Sequence, residues 1–277
     1  MPRVGVVGHV EWVRFAVVEA VPPAGAIVHA RETFCEPAGG GAVAAVQLRK
    51  LAGAVTFLTA LGDDAAARQV VLDLRERHRV GDLHVAQRAG PQRRTFTFLD
   101  DAGERTITVL GERIVPALTD PLPWDELGAL DAIYLTGGDA GAVRAARAAS
   151  VLVATPRAMQ ALIESRVQLD VLVRSSSDPG EIYEPGMLDP APRLVVSTRG
   201  AEGGFWEAAD GRNGSWRATP LSGPTVDAYG CGDSFAAGLT YGLGAGMELA
   251  DAIELAARCG AACLCGRGPY EGQLELG

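Results

Sequence analysis

No apolar run in this chain of 277 residues approaches the roughly 20 needed to cross a bilayer. Basic charge is short as well. The 25 Lys and Arg are outnumbered by 34 Asp and Glu, giving a formal net charge of -9. That balance argues against nucleic acid as a partner, because phosphate contacts along a duplex need clustered cations. It does not argue against a single phosphorylated ligand, which backbone amides and a metal ion can hold locally. Cysteine is sparse and odd in number: Cys35, Cys231, Cys259, Cys263 and Cys265. A disulfide scaffold is therefore excluded, and without a CxxC pair or a nearby His the last three read as packed thiols, not as a metal site. The GxxxxGK[ST] phosphate loop is absent. A single Arg3 before a glycine-interrupted apolar segment makes a poor signal peptide, so a soluble cytoplasmic protein is expected.

What is present is a chain 48% hydrophobic, enough for a substantial core and too apolar for disorder. Apolar runs at Val4 to Val10, Ile27 to Phe34, Val55 to Leu61, Ala132 to Leu135, Val151 to Ala154, Val171 to Val173 and Leu194 to Ser197 read as strands. Helices are expected over 42–51, 65–78, 140–149 and 156–164. Strands alternating with helices imply a mostly parallel sheet covered on both faces. The stretch 95–110 differs, because Thr95-Phe96-Thr97-Phe98 and Thr106-Ile107-Thr108-Val109 alternate polar with apolar around Asp100-Asp101-Ala102-Gly103. It reads as a hairpin covered on one face by a ligand or a second subunit.

The chemistry concentrates in Val226-Asp227-Ala228-Tyr229-Gly230-Cys231-Gly232-Asp233-Ser234-Phe235, directly before a helix. Alternate glycines let the backbone approach a ligand closely, and their N–H groups can converge at the positive end of the helix. Such an anion hole suits the charge on a transferring phosphoryl group, and Asp233 beside it could take a proton from an attacking hydroxyl. On composition alone the same residues would serve equally well as a helix cap.

The segment resembles the PfkB family signature, DTxGAGDxF, at Asp227, Gly230, Gly232, Asp233 and Phe235, with Cys231 in the usual Ala place. The resemblance extends through Pro37 to Ala45, Leu61-Gly62-Asp63-Asp64, the hairpin 95–110 and Val195 to Gly204. It implies a ribokinase-like α/β fold, three-layered α/β/α with a mostly parallel central sheet and a small β-strand lid. One domain over 1–277 is expected, with lid strands from about 11–36 and 94–110. The resemblance implies an ATP-dependent kinase acting on a hydroxyl of a small carbohydrate-type substrate. Asp233 would be the base, with the amides of Gly230, Cys231 and Gly232 forming the anion hole. Thr198, Gly200 and Gly203 would lie near the nucleotide, and Cys259 and Cys263 would line the adenine pocket. Mg2+ is the implied metal, and Asp227 would stand near a monovalent cation site for an ion such as K+. A homodimer through paired lids is expected, as in several relatives, with neither nucleic acid nor membrane as a partner.

Three places depart from the family pattern. After the first strand, relatives read N-x-D, whereas here Glu11 stands in the Asn place and Val13 in the Asp place. Val43 replaces the substrate-binding Asn of the glycine-rich motif. A rebuilt acceptor site is expected from His9, Glu11, Gly39, Gly40 and Gly41, while ordinary strand-end polarity is the plainer account of His9 and Glu11. In the PNxxE-like motif Ser175 falls on Asn and Asp178 on Glu, both keeping the oxygen ligands that Mg2+ takes; a serine-rich loop is the alternative. Arg94 and Arg105, flanking the hairpin, could reach an anionic substrate group or simply face solvent. A nicotinamide-binding loop at Gly39 to Ala44 fails on context, because it does not directly follow the first strand. A nucleoside kinase of the same family and a non-catalytic ligand sensor remain as alternatives.

Overall fold

The computed structural model describes residues 1–276. Along the chain come β1 (Val4–Val7), β2 (Glu11–Val17), β3 (Glu32–Ala38), α1 (Gly40–Ala52), β4 (Thr56–Leu61), α2 (Ala65–Leu72) and β5 (Asp82–Gln87). The hairpin β6 (Arg94–Leu99) and β7 (Arg105–Leu110) follows, then β8 (Ala132–Leu135), α3 (Ala140–Ala146), β9 (Val151–Ala154), α4 (Met159–Ser165) and β10 (Val171–Ser175). The chain ends with β11 (Leu194–Thr198), β12 (Gly204–Ala208), β13 (Asn213–Trp216), α5 (Cys231–Gly244) and α6 (Leu249–Leu264).

Nine strands form one sheet in the order β13-β12-β11-β10-β9-β8-β1-β4-β5. All neighbours from β11 through β5 are parallel, and β12 and β13 extend one edge antiparallel. Successive side chains of a strand point to opposite faces, and here each face has its own core. Val4, Val6, Tyr134, Val153 and Val171 pack against Ala42, Val43 and Val46 of α1, Phe235 and Ala236 of α5, and Ala256 of α6. Val7, Ile133, Leu135, Leu152 and Leu172 pack against Ala142 and Val143 of α3 and Leu162 of α4. Cover on both faces explains why β1 and β8 are apolar at every position and wholly buried. No helix among the described residues is long and apolar enough to cross a membrane.

A smaller sheet stands in the order β3-β2-β6-β7, with β2 and β6 parallel and both outer pairs antiparallel. The hairpin turn is fixed by Asp100, whose Oδ1 accepts from the amides of Ala102 and Glu104, both at 3.0 Å. In β6, Thr95, Thr97 and Leu99 are buried. The edge strand β7 is exposed throughout, including Ile107, Val109 and Leu110.

Several element bounds differ from the sequence reading. The first strand stops at Val7, and the chain crosses at Gly8-His9-Val10 into the smaller sheet. Residues 27–31 form no strand, and Ile27 is fully open to solvent. The strand lies at Glu32–Ala38 and runs through Pro37, which is tolerated because β3 is an edge with one side unpaired. The helix expected to 78 widens into a π-helical turn at Asp73–Arg77.

Candidate active site

The parallel strands end along one side of the large sheet, the usual place for ligands in open α/β folds. His9 follows β1, Thr136 follows β8, Arg157 follows β9, Ser175 closes β10 and Thr198 closes β11. Backbone bonds hold the junctions together. Thr136 N donates to Val7 O at 2.9 Å, and Gly41 N donates to His9 O at 3.2 Å.

α5 begins at this place without a side-chain cap. Its N-cap is Gly230, at φ 84°, a left-handed conformation that glycine adopts without the Cβ penalty of other residues. The first turn therefore presents free N–H groups and the positive end of the helix dipole. Space beside Gly232 is open. Asp233 stands in this turn facing the glycine loop: a Cβ added to Gly40 would lie 2.8 Å from Asp233 Oδ1. Burial, and then the negative charge of Glu181, push the Asp233 carboxyl up to about 7, against the pull of Arg157, Arg105 and Arg113.

Where the chain leaves β1 for the smaller sheet, His9 and Glu11 are both buried, with Nε2 and Oε1 3.7 Å apart. Both face the turn at Gly39, whose added Cβ would meet His9 Nε2 at 3.1 Å and Glu11 Cγ at 3.2 Å. Arg93 Nε lies 2.9 Å from Glu11 Oε1. Arg113 Nη2 donates to His9 Nδ1 at 2.7 Å and to Thr136 O at 2.6 Å, and Nη1 to Arg157 O at 2.6 Å. Because Nδ1 accepts, the proton of neutral His9 sits on Nε2. Burial, then the charge of Arg113, hold the His9 pKa well below its ordinary value. Burial raises the Glu11 pKa despite Arg93, Arg113 and Arg157.

A second acidic group lies where β10 ends. Asp178 pairs with Arg157 Nη2, and its Oδ1 accepts from Gly180 N at 2.8 Å. Glu181 accepts from Ser175 N at 2.7 Å and lies 3.3 Å from Arg157 Nε. No cluster of three or more metal-binding His, Cys, Asp or Glu occurs among the described residues. Two carboxylates with the Ser175 and Ser177 hydroxyls make an all-oxygen donor set of the kind Mg2+ takes, but all four carboxylate oxygens are engaged by Arg157, Gly180 N and Ser175 N, so the ion would have to displace Arg157 from them.

The remaining expected residues divide. Arg105, on β7, donates from Nη1 to Ala228 O at 3.0 Å and so bridges the smaller sheet to the loop before α5. Arg94 instead pairs with Asp64 at 2.6 Å on the exposed side of β6. Asp227 is buried with both oxygens occupied, Oδ1 by Tyr229 N at 2.8 Å and Oδ2 by Gly268 N at 3.0 Å. It staples the loop before α5 to the C-terminal segment, and neither of its oxygens is left open for a cation. Gly200 is exposed and Gly203 buried at the turn after Thr198. Cys259 is buried in the contact between α5 and α6, behind Gly238. Cys263 is buried and donates to Tyr229 O at 3.5 Å, so both thiols lie beneath the site and not on its surface.

Arg93, Arg113, Thr136, Arg157 and Glu181 escaped the sequence reading. For Arg93 a signal existed. In β6 the inward positions are Thr95, Thr97 and Leu99, so the alternation turns Arg94 outward and Arg93 inward.

Parallel-sheet architecture and a small second sheet above the strand ends define a ribokinase-like fold. Comparison with solved structures agrees. Ribokinase from Thermotoga maritima matches at TM-score 0.79 and 18% identity, covering 99% of this chain and 97% of that one. Arabidopsis thaliana ribokinase, complexed with ribose and ATP, matches at 0.74 and 17%, covering 99% and 96%. A Burkholderia thailandensis nucleoside kinase in complex with inosine matches at 0.72 and 18%, covering 96% and 93%. No protein of curated function matches the sequence. The model of the pfkB family carbohydrate kinases matches residues 1–182 and 183–275. The chain belongs to the pfkB family.

Proposed function

We propose that this kinase moves the γ-phosphoryl group of ATP onto a hydroxyl of a small carbohydrate-type acceptor, with Asp233 as the general base. The observation that carries this reading is the placement of Asp233. It stands in the uncapped first turn of α5, against Gly40, with a pKa of about 7 that makes it a competent proton acceptor near neutrality. ATP supplies the phosphoryl group when bound, and Thr198, Gly200 and Gly203 mark the strand end beside which it would lie. Mg2+ would be held by Asp178 or Glu181 and would offset phosphate charge.

The chain's own residues account for the remaining steps. Glu11 and the Nε2–H of His9 offer an acceptor and a donor to substrate hydroxyls at the Gly39–Gly41 turn. Asp233 takes the proton of the reacting hydroxyl at its carboxylate. The amides of Gly230, Cys231 and Gly232 face the charge that grows on the transferred group. The smaller sheet, tied down through Arg105, excludes water from the cleft. Its exposed edge β7 is the surface we assign to a second copy of the chain. A nucleoside acceptor is a second reading, favoured by the likeness to a nucleoside kinase that binds inosine. The test is ATP consumption across sugars, sugar acids, sugar phosphates and nucleosides, with Asp233→Asn as control. Turnover with one class that vanishes in the variant supports the reading, and turnover that survives it refutes Asp233 as base.

A further inference from the structure

Of the three arginines at the acceptor end of the cleft, Arg93, Arg113 and Arg157, Arg113 alone touches no carboxylate. Arg157 is matched by Asp178 and Glu181. Arg93 touches Glu11, whereas Arg113 touches no carboxylate and feels Glu11 and Asp233 only at longer range. Every partner of Arg113 is uncharged: two backbone carbonyls and the lone pair of neutral His9. Its Nε is buried with no hydrogen-bond partner at all. A guanidinium taken out of water without a matching anion is costly, and removing such a mismatch is what a charged ligand does best. Arg93 and Arg113 both keep part of their surface open, so a ligand can reach them.

A neutral sugar has no anion to offer Arg113, because its hydroxyls are already served by Glu11 and His9. We propose that the acceptor is anionic: it carries a carboxylate or a phosphate that Arg113 and Arg93 receive, while a hydroxyl elsewhere on the molecule faces Asp233. The inference rests on the phosphotransfer reading above and narrows its substrate class to sugar acids and sugar phosphates. Guanidinium recognition of such groups is planar and charge-assisted, which makes it selective against ligands lacking the anion. Arg113 has a second duty, holding His9 in the tautomer whose Nε2–H faces the acceptor.

The test uses matched acceptors: a neutral aldose, its terminal phosphate and its aldonic acid. For each, turnover with ATP is measured, and binding without ATP is read from the thermal unfolding midpoint. An anionic member should exceed the neutral sugar by about 100-fold or more in kcat/KM. Whether the phosphate or the acid does so identifies the anion. Arg113→Gln and Arg93→Gln should each erase most of that preference through KM, and Arg113→Lys, which keeps the charge, should restore part of it. The proposal is overturned if the neutral sugar is used as well as its charged partners. It is equally overturned if no charged member binds at millimolar concentration, or if Arg113→Gln slows all acceptors alike, which marks a purely structural arginine. An anionic acceptor that binds through Arg113 but is never phosphorylated would sustain this inference and refute the kinase reaction instead.

Discussion

Replacing Asp233 with Asn should make the protein more stable while destroying its activity. In the fold, burial and the charge of Glu181 lift this carboxyl from an ordinary 3.8 to about 7. The sign follows from proton linkage. Below pH 4 the group is protonated both folded and unfolded, and it contributes nothing. Between pH 4 and 7 the unfolded chain releases the proton and the folded chain keeps it, so stability falls across that window and stays lowered above it. At ~1.4 kcal/mol per tenfold change in proton affinity the ceiling is ~4 kcal/mol, and partial solvent access should reduce it to ~2 kcal/mol. Asn has nearly the same shape and no charge to desolvate. For a chain of this length that gain amounts to a rise of about 4 °C in Tm at pH 8, shrinking toward zero near pH 4. Turnover should fall by about 100-fold to 10,000-fold, the usual worth of a positioned base. Calorimetry at the two pH values and a coupled ADP assay read both effects. A residue that merely caps a helix predicts no change in either quantity, since Asn caps as well as Asp. An unchanged or lowered Tm at pH 8, or turnover within tenfold of the parent, would refute the reasoning.

Three further outcomes follow from the same geometry. The kcat/KM profile should lose activity as pH falls through about 7, and Glu181→Gln should shift that limb to lower pH by removing the negative charge that lifts Asp233; a limb that stays in place disproves the coupling. Gly40→Ala would put a methyl group 2.8 Å from Asp233 Oδ1, so kcat should drop about 10-fold to 100-fold with little change in Tm, and unaltered kinetics would show that the carboxylate is free to move aside. Light scattering should report a dimer, with Val109→Glu on the exposed edge strand returning a monomer, and a monomeric parent protein would end the proposal that β7 pairs between copies.

The parallel core could be read from the sequence because burial on both faces leaves an unmistakable trace: β1 and β8 admit only apolar residues, so their strands announce themselves. The hairpin β6–β7 was equally visible, since Thr95-Phe96-Thr97-Phe98 alternates as a strand with unlike faces must. Edges are harder. Ile27 and Val28 are apolar yet exposed, whereas Pro37, which ordinarily breaks a strand, lies within one because only one side of β3 is paired. Within the site, the residues beside the helix start share one contiguous segment, so Gly230, Gly232 and Asp233 carried their relation in their spacing.

The acceptor end has no such segment. Glu11, Arg93, Arg113 and Arg157 come from four separate stretches of chain, and they meet because β2 pairs with β6 in the smaller sheet while β1 lies beside β8 with β9 beyond in the larger one. That order is a property of the folded sheet, and nothing local to Arg113 records it. The same separation explains why the two ends of the cleft differ in what they reveal. Phosphoryl transfer to any hydroxyl needs the same base and the same free amides, so that end is built from one short motif that recurs. Choosing among acceptors requires charge and hydrogen bonds placed around a particular shape, and here several loops each contribute one group. The departures at Glu11, Val13 and Val43 therefore do not weaken the case for a kinase. Glu11 alone of the three lines the cleft: Val13 is buried in the core, and Val43 is buried beneath Gly230. What the family pattern would have asked of an Asn there must be done by other groups. The buried pair His9 and Glu11, held by Arg113 and Arg93, are the polar side chains that the fold brings to that place.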